Sequence, residues 1–214
     1  YAPAGVIAAT GGTSTGSCDN ISDVADVATE ENLYLHVDAA WAGSAMICPE
    51  FRNLWSGIEK ADSIVFNPHK WLGAQFDCSV QFLRDASMQK NTLSISPEYL
   101  KTKGVTGITN LSDYTIQLGR RFRALKLWFL LRAEGLSGLR KVIRDHIKWS
   151  TGLHDSIKEL KNVEILTRPI LGLFTFRFLS EKTTKSSSRN SIGSPPAGIS
   201  LTSSYSNKLI SFSS

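Results

Sequence analysis

Lys70 and Asp38 are the two residues of this sequence whose types and settings best suit amine chemistry on an aldehyde cofactor. Lys70 lies in the segment Phe66-Asn67-Pro68-His69-Lys70-Trp71-Leu72, where a proline and large apolar side chains surround it. Asp38 ends a short apolar run. A lysine can hold pyridoxal phosphate as a Schiff base, and a carboxylate can pair with the protonated pyridine nitrogen of that cofactor. The pair predicts a pyridoxal phosphate site, with Lys70 desolvated by its apolar neighbours.

Short apolar runs predict the strands that must position these residues. A helix is expected between the first two runs, with Asp19 or Ser22 as its N-cap. Alternation of apolar strands with helices predicts an α/β fold, with a mainly parallel sheet that carries helices on both faces. The predicted strands are residues 6–9, 33–37, 63–66 and 78–83.

Polar residues follow three of the predicted strands: Thr10, Asp38 and Asn67. In parallel sheets, ligands bind beyond the carboxyl ends of the strands. We therefore expect these three residues to contribute to one shared site, independently of any likeness to other proteins.

The second half of the chain changes from strand patterns to helix patterns. Residues 88–119 have no clear period and are expected to be irregular, whereas apolar residues recur at helical spacing from Leu118 to Leu160. The apolar pattern predicts two strands of a second, smaller α/β unit, at residues 163–166 and 171–178. We expect a large domain over 1–124 and a small domain over 125–179. The Ser-rich tail 180–214 is expected to be disordered.

Composition narrows the function classes. The 214 residues are 42% hydrophobic and 20% charged, with no apolar run near membrane-spanning length, which predicts a globular protein without a membrane partner. The net charge of +5 includes +3 from the tail, since four basic residues there oppose one acidic residue, so no nucleic-acid partner is expected. The three cysteines are far apart, which predicts reduced thiols and a cytoplasmic location.

The histidines give no sign of a metal site. His36 and Asp38 form an H-x-D pair, but no third and fourth ligand follows at a suitable spacing, so no metal is expected. His146 and His154 lie in helical stretches and are expected to be structural or exposed. The chain begins at Tyr1, almost directly on an apolar strand, which we interpret as a sign of a fragment.

Several long motifs resemble those of the group II pyridoxal-phosphate-dependent decarboxylases, on the aromatic-L-amino-acid decarboxylase branch. The resemblance runs from residue 1 to about residue 178. The matching segments are ATGGTS (9–14), HVDAAWAGSAMICPEFR (36–52), ADSIVFNPHKWLGAQFDCS (61–79), PEYL (97–100) and LGRRFRALKLWF (118–129).

The resemblance implies a fold and a set of site residues. The fold would be the large domain, in part, of the type I pyridoxal-phosphate transferases, followed by part of a small C-terminal domain. Lys70 would carry the cofactor and Asp38 would pair with its ring nitrogen. Tyr99 would return a proton to the α-carbon of the substrate after carbon dioxide leaves. The remaining implied cofactor contacts are Ala40 near the ring, Asn67 and His69 at the phosphate, and Thr13 or Ser14, between which the sequence does not decide.

The resemblance also implies a reaction and partners. The expected activity is decarboxylation of an aromatic L-amino acid to its amine, by a homodimer when the protein is full length. Tyr99 favours this reaction over aldehyde synthesis, because the aldehyde synthases of the family typically carry Phe there. The motifs are also compatible with an aromatic aldehyde synthase, with a decarboxylase for histidine or an acidic amino acid, and with a non-catalytic remnant. Residues 1–214 alone are expected to be inactive.

Overall fold

A four-stranded sheet forms the centre of the computed structural model, which describes residues 1–94, residues 110–179 and one short strand at 210–211. The strands are β1 (Gly5–Ala9), β2 (Tyr34–Asp38), β3 (Ser63–Phe66) and β4 (Val80–Leu83), in that spatial order. β1, β2 and β3 are parallel, and β4 pairs with β3 in the antiparallel sense. The predicted α/β fold with a mainly parallel sheet is confirmed, although the apolar pattern gave no indication of the reversed direction of β4.

Helix α1 (Ile21–Glu30) makes the crossover from β1 to β2. Its N-cap is Asn20, whose side chain accepts a hydrogen bond from the Asp23 N–H, so the predicted caps Asp19 and Ser22 are wrong. Asp19 instead accepts a hydrogen bond from the Ala9 N–H at 2.8 Å, which ties the end of β1 to the start of the helix. The apolar stripe of α1 is buried through Ile21, Ala25 and Ala28.

The two faces of the sheet have different surroundings. On one face Ala8, Leu35 and Val37 are fully buried in the core that includes α1 and the 3₁₀ segments Ala42–Ile47 and Pro49–Trp55. On the other face Ile7 remains 67% exposed. Side chains alternate between faces along a strand, so His36 and Asp38 both belong to the more exposed face.

Helix α2 (Ala86–Leu93) extends into the region 88–119 that was expected to be irregular, so that expectation is wrong for residues 88–93. The helix begins after Asp85, whose carboxylate accepts a hydrogen bond from the Ser87 N–H at 2.9 Å. None of its residues is buried, which explains why its sequence lacks an apolar stripe. Further along, a 3₁₀ turn at Leu111–Tyr114 packs near α2 through the hydrogen bond from Gln89 to the Tyr114 carbonyl.

Helix α3 (Arg123–Ile157) contains one non-helical residue, Gly135, with a φ of 63°. The half after Gly135 buries Leu139 and Ile143 against the main core. The half before Gly135 packs Leu127 and Leu130 against the core but leaves four large apolar residues exposed, although the sequence pattern predicted an apolar stripe there. Those exposed residues are Leu125, Trp128, Phe129 and Leu131.

A second sheet follows α3. Its strands β5 (Val163–Ile165), β6 (Thr175–Phe178) and β7 (Ile210–Ser211) pair in the antiparallel sense in that order. Within the Ser-rich segment 180–214 only residues 210–211 are described, as strand β7, and the expected disorder of the segment stays a prediction. The division into domains over 1–124 and 125–179 stays a prediction, and its boundary falls in the first turn of α3.

Candidate active site

Asp38 lies at the carboxyl end of the central parallel strand, as predicted. Its carboxylate is exposed, and Oδ1 accepts a hydrogen bond from the Ala40 N–H at 3.0 Å. No cation pairs with it among the described residues. The Asp38 carbonyl accepts a hydrogen bond from the Thr10 N–H at 2.8 Å, which holds the ends of β1 and β2 together. One carboxylate oxygen is thus oriented by the backbone while the other is available to a ligand.

Thr10 does not share this exposure, which corrects the prediction that it contributes a ligand group. The residue is fully buried, and its hydroxyl has no hydrogen-bond partner within the described part of the chain. Alternation along β1 places Thr10 on the same face as the buried Ala8. Its contribution to the site is the backbone hydrogen bond to Asp38.

The loop after β3 brings Lys70 to the same sheet edge. The Asn67 N–H donates to the Ala40 carbonyl at 2.7 Å, and the Lys70 N–H donates to the Asn67 carbonyl at 2.9 Å. Two hydrogen bonds therefore connect the segment after Asp38 to the lysine. Pro68 is buried and accepts a hydrogen bond from the Ala74 N–H, so the turn around Lys70 is closed and stiff.

The surroundings of the Lys70 side chain differ from the prediction. Trp71 and Leu72 are buried, at 4% and 8% exposure, but Lys70 itself is exposed. Its amine makes no hydrogen bond or ion pair with the described residues. The expected desolvation is therefore not supplied by these neighbours, and the amine is free to react with a ligand.

Asn67 and His69 are oriented by Cys78 and Ser79, the two residues that precede β4. Asn67 Oδ1 accepts a hydrogen bond from the Ser79 hydroxyl at 2.7 Å. His69 Nδ1 lies 3.0 Å from the Cys78 amide nitrogen and 2.7 Å from the Cys78 carbonyl oxygen. The backbone of Cys78 therefore fixes the imidazole ring and directs its other nitrogen away from this contact.

The glycine loop after β1 forms a tight turn. The Gly16 N–H donates to the Gly12 carbonyl at 2.7 Å, and this bond encloses the exposed residues Thr13 and Ser14. Neither side chain makes a hydrogen bond to the described residues, so both hydroxyls are available to an anionic ligand. The turn presents both together, and the choice between them stays open. At Gly11, with a φ of 87°, a Cβ atom would lie 2.6 Å from the Ala42 Cβ.

Two tryptophans contact each other beside the candidate site, and the sequence pattern predicted only one of them, Trp71, as an apolar neighbour of Lys70. The ring centroids of Trp41 and Trp71 are 5.2 Å apart. The Trp41 indole N–H donates to the Gly11 carbonyl at 2.5 Å, and the Trp71 indole N–H donates to His146 Nδ1 at 3.0 Å. The signal that was available in the sequence is the position of each tryptophan, immediately after Ala40 and Lys70.

An ion pair connects the loop after Lys70 to the start of α3. The Arg123 guanidinium donates to the Asp77 carboxylate at 3.0 Å, and this bond holds the pKa of Asp77 below its ordinary value. His36, Ser79 and Arg123 also line an open cavity of about 1390 Å³ on the more exposed face of the sheet. Ser79 therefore links this cavity to Asn67 in the candidate site.

Tyr99, the predicted proton donor, lies outside the described residues, so its role stays a prediction.

Across residues 1–94 and 110–179, no three His, Cys, Asp or Glu side chains are grouped in a way that could hold a metal ion. Over the same ranges, each helix is too short or too polar to cross a bilayer.

The chain matches a known protein family over most of its length. The family model described as the pyridoxal-dependent decarboxylase conserved domain matches residues 1–179. This chain belongs to the pyridoxal-dependent decarboxylase family. The resemblance inferred from the motifs is therefore confirmed, and the matched range includes Lys70 and Asp38, whose roles stay predictions.

Individual members of the family agree with this assignment. The aromatic-L-amino-acid decarboxylase of Mus musculus is 44% identical over 174 residues, which are 80% of this chain and 36% of that protein. The structure of Oryza sativa TDC with PLP and tryptamine has a TM-score of 0.79 at 38% identity, covering 83% of this chain and 36% of that one. The structure of Rhodiola rosea 4-hydroxyphenylacetaldehyde synthase has a TM-score of 0.75 at 33% identity, covering 84% and 36%. The chain thus spans about a third of the length of these relatives.

Proposed function

We propose that the protein decarboxylates an aromatic L-amino acid to the corresponding amine and carbon dioxide, with pyridoxal phosphate as its cofactor. The observation that carries the proposal is the joint placement of Lys70 and Asp38. Both side chains are exposed at one sheet edge, and backbone hydrogen bonds through Ala40 and Asn67 connect the segments that bear them. The name of the Mus musculus decarboxylase supports the reaction and the substrate class, and the PLP and tryptamine in the Oryza sativa structure support the cofactor and an aromatic amine product.

The residues present suit this cofactor. Lys70 would bind its aldehyde carbon covalently through Nζ, and Asp38 would pair with the ring nitrogen through its free carboxylate oxygen. Ala40 is half-buried and has a small side chain, which leaves room for a flat ring. When bound, pyridoxal phosphate supplies an electron sink for the bond that breaks as carbon dioxide leaves.

The phosphate group would be held by the loops around this pair. Thr13 or Ser14 would donate from the glycine turn, where both hydroxyls are exposed and unengaged by the described residues. Asn67 has its oxygen occupied by Ser79, so its amide N–H₂ is the group it can offer to an anion. His69 would contribute through the nitrogen that Cys78 does not contact.

We further propose that Tyr99 protonates the α-carbon of the substrate, which completes amine formation. The competing outcome is aldehyde synthesis, as the name of the Rhodiola rosea relative indicates for that protein. The tyrosine at position 99 favours the amine, since aldehyde synthases of the family typically carry phenylalanine there. Decarboxylation of histidine or of an acidic amino acid, and a non-catalytic remnant, are the competing hypotheses that the assay below separates.

A homodimer is part of the proposal. The first half of α3 exposes Trp128, Phe129 and Leu131 at 47% to 58%, and contiguous apolar surface of this kind usually marks an interface. Light scattering on the purified full-length protein measures the mass, and a monodisperse monomer would exclude the dimer.

We also propose that the protein works in a reducing compartment such as the cytoplasm, because all three cysteines are unpaired.

The function is tested by a decarboxylation assay on the full-length protein. Carbon dioxide and amine are measured with aromatic L-amino acids, histidine and glutamate, with and without added pyridoxal phosphate. The proposal predicts release from an aromatic substrate only, and loss of activity in Lys70→Arg, which keeps the charge. Turnover on histidine or glutamate alone would favour a decarboxylase for those substrates, and no turnover with any substrate would favour the remnant.

A further inference from the structure

Three aromatic side chains and one glycine carbonyl are linked in series by hydrogen bonds and a ring contact, next to the candidate site. The Trp41 indole N–H donates to the Gly11 carbonyl, the two tryptophan rings contact each other at 48°, and the Trp71 indole N–H donates to His146 Nδ1. We name Gly11, Trp41, Trp71 and His146 the tryptophan brace. It runs from the glycine turn after β1 to the second half of α3.

The brace has a member in each of three segments that carry candidate cofactor-binding residues: the glycine turn, the segment after β2 and the loop after β3. Trp71 follows Lys70 directly, so the orientation of its ring constrains the backbone from which the lysine extends. Trp41 follows Ala40, whose carbonyl accepts the hydrogen bond from Asn67. The brace therefore connects three strand-end segments to one another and to α3, although the side chains that would bind the cofactor are not part of it.

The hydrogen bond to His146 is the only polar anchor of the Trp71 ring among the described residues. Trp71 is only 4% exposed, and a buried indole N–H that has no hydrogen-bond partner lowers the stability of the fold. A neutral imidazole that accepts at Nδ1 carries its proton on Nε2, so the bond also selects one tautomer of His146. The anchor lies 75 positions from the tryptophan, so the helical spacing around His146 gives no indication of it.

We propose that His146 is a positioning residue for Lys70. By accepting the Trp71 N–H, it fixes the ring beside Lys70 and thereby the direction from which the amine approaches the cofactor. The inference rests on the proposed role of Lys70 and adds to it a residue on α3 that touches neither cofactor nor substrate.

The test compares two variants of matched size in the full-length protein. His146→Asn keeps an acceptor atom two bonds from Cβ, where Nδ1 stands, and His146→Leu places a methyl group there. Trp71→Phe retains an aromatic ring without the N–H. With the double variant Trp71→Phe/His146→Leu it completes a double-mutant cycle, which separates the energy of the hydrogen bond from that of side-chain packing. Should His146→Leu fail to fold, Trp71→Phe serves as the variant that removes the bond.

The first readout needs no cofactor. Amide hydrogen exchange is followed in the peptide 67–73, which contains the Lys70 N–H. Loss of a buried acceptor is expected to speed exchange there by about 5- to 100-fold in His146→Leu. His146→Asn is expected to remain within about threefold of the parent protein, in keeping with a hydrogen bond that is retained. In the Trp71→Phe background, His146→Leu is expected to have no further effect.

The second readout is the circular dichroism of bound pyridoxal phosphate, which reports the orientation of its ring. His146→Leu is expected to change this band, whereas His146→Asn is expected to show the same band as the parent protein. Unchanged exchange and an unchanged band in His146→Leu would overturn the positioning role, as would equal defects in both His146 variants. If exchange responds as expected but the cofactor does not attach to Lys70 in the parent protein, the contact of His146 with Trp71 is supported and the proposed function is wrong.

Discussion

Gly11→Ala tests how tightly the glycine turn fits against the segment after Asp38. Gly11 has a φ of 87°, a region that L-residues with a Cβ rarely adopt. An added Cβ would lie 2.6 Å from the Ala42 Cβ and 2.7 Å from Trp41 Nε1. The substitution therefore strains the backbone and forces apart groups that now pack in van der Waals contact.

Gly73 provides the matched control. Its φ is 85°, close to that of Gly11, but a Cβ built there meets nothing within 4 Å. Gly73→Ala should therefore cost only the backbone strain, about 1–2 kcal/mol of unfolding free energy. Gly11→Ala should add an overpacking cost of about 1–3 kcal/mol, because the neighbouring atoms must shift by roughly 1 Å to restore ordinary contacts of about 3.5–4.0 Å.

Denaturant unfolding of the full-length protein measures both costs. We expect Gly11→Ala to be destabilised by roughly 2–5 kcal/mol in total and to exceed Gly73→Ala by about 1–3 kcal/mol. Tryptophan fluorescence should change in Gly11→Ala, since its Cβ displaces the Trp41 ring. If the two variants lose the same free energy within about 0.5 kcal/mol, the packing of the turn against Trp41 and Ala42 is not as described.

Three further predictions concern charge and proton transfer. Asp38→Asn should lower kcat by about 30- to 5000-fold, the equivalent of about 2–5 kcal/mol for removing the partner of a charge that the bound cofactor would bury, and unchanged turnover in a steady-state assay would exclude the pairing role. Tyr99→Phe should shift the product from amine toward aldehyde in mass spectrometry, whereas amine alone at full rate would show that another group donates the proton. Arg144 lowers the pKa of Glu50 from 4.5 to about 2, so this ion pair stabilises the fold above pH 4.5 and is lost as the pH falls toward 2. The stability difference between the parent protein and Glu50→Gln should therefore be constant above about pH 5 and shrink below it, and a pH-independent difference in denaturation curves would contradict the ion pair.

The sheet was largely predictable because its strands are apolar runs bounded by polar or turn residues. Ser63–Phe66 forms β3 as predicted, and Asp38 ends β2. The direction of β4 was not predictable, because an apolar run has the same pattern in either sense. Helix α2 was missed because all its residues remain at least partly exposed, so nothing in its sequence imposes a helical apolar period.

The sequence predicted which residues the sheet edge brings together, but only partly predicted their environment. The structure places Lys70 and Asp38 at one sheet edge, and their roles there stay predictions. Their exposure could not be predicted from their apolar neighbours. A buried neighbour such as Trp71 can fill the core while the lysine beside it points outward. The contact between Trp71 and His146 joins residues far apart in the chain, so no local pattern could reveal it.

The most direct test of the account is to locate the cofactor on the protein. Full-length protein loaded with pyridoxal phosphate is reduced with borohydride, digested and mapped by mass spectrometry, with Lys70→Arg as the control. The account predicts a pyridoxyl group on the peptide that contains Lys70, and no label at that site in the control. A label on a different lysine of the parent protein, or none at all, would contradict the central claim that Lys70 holds the cofactor.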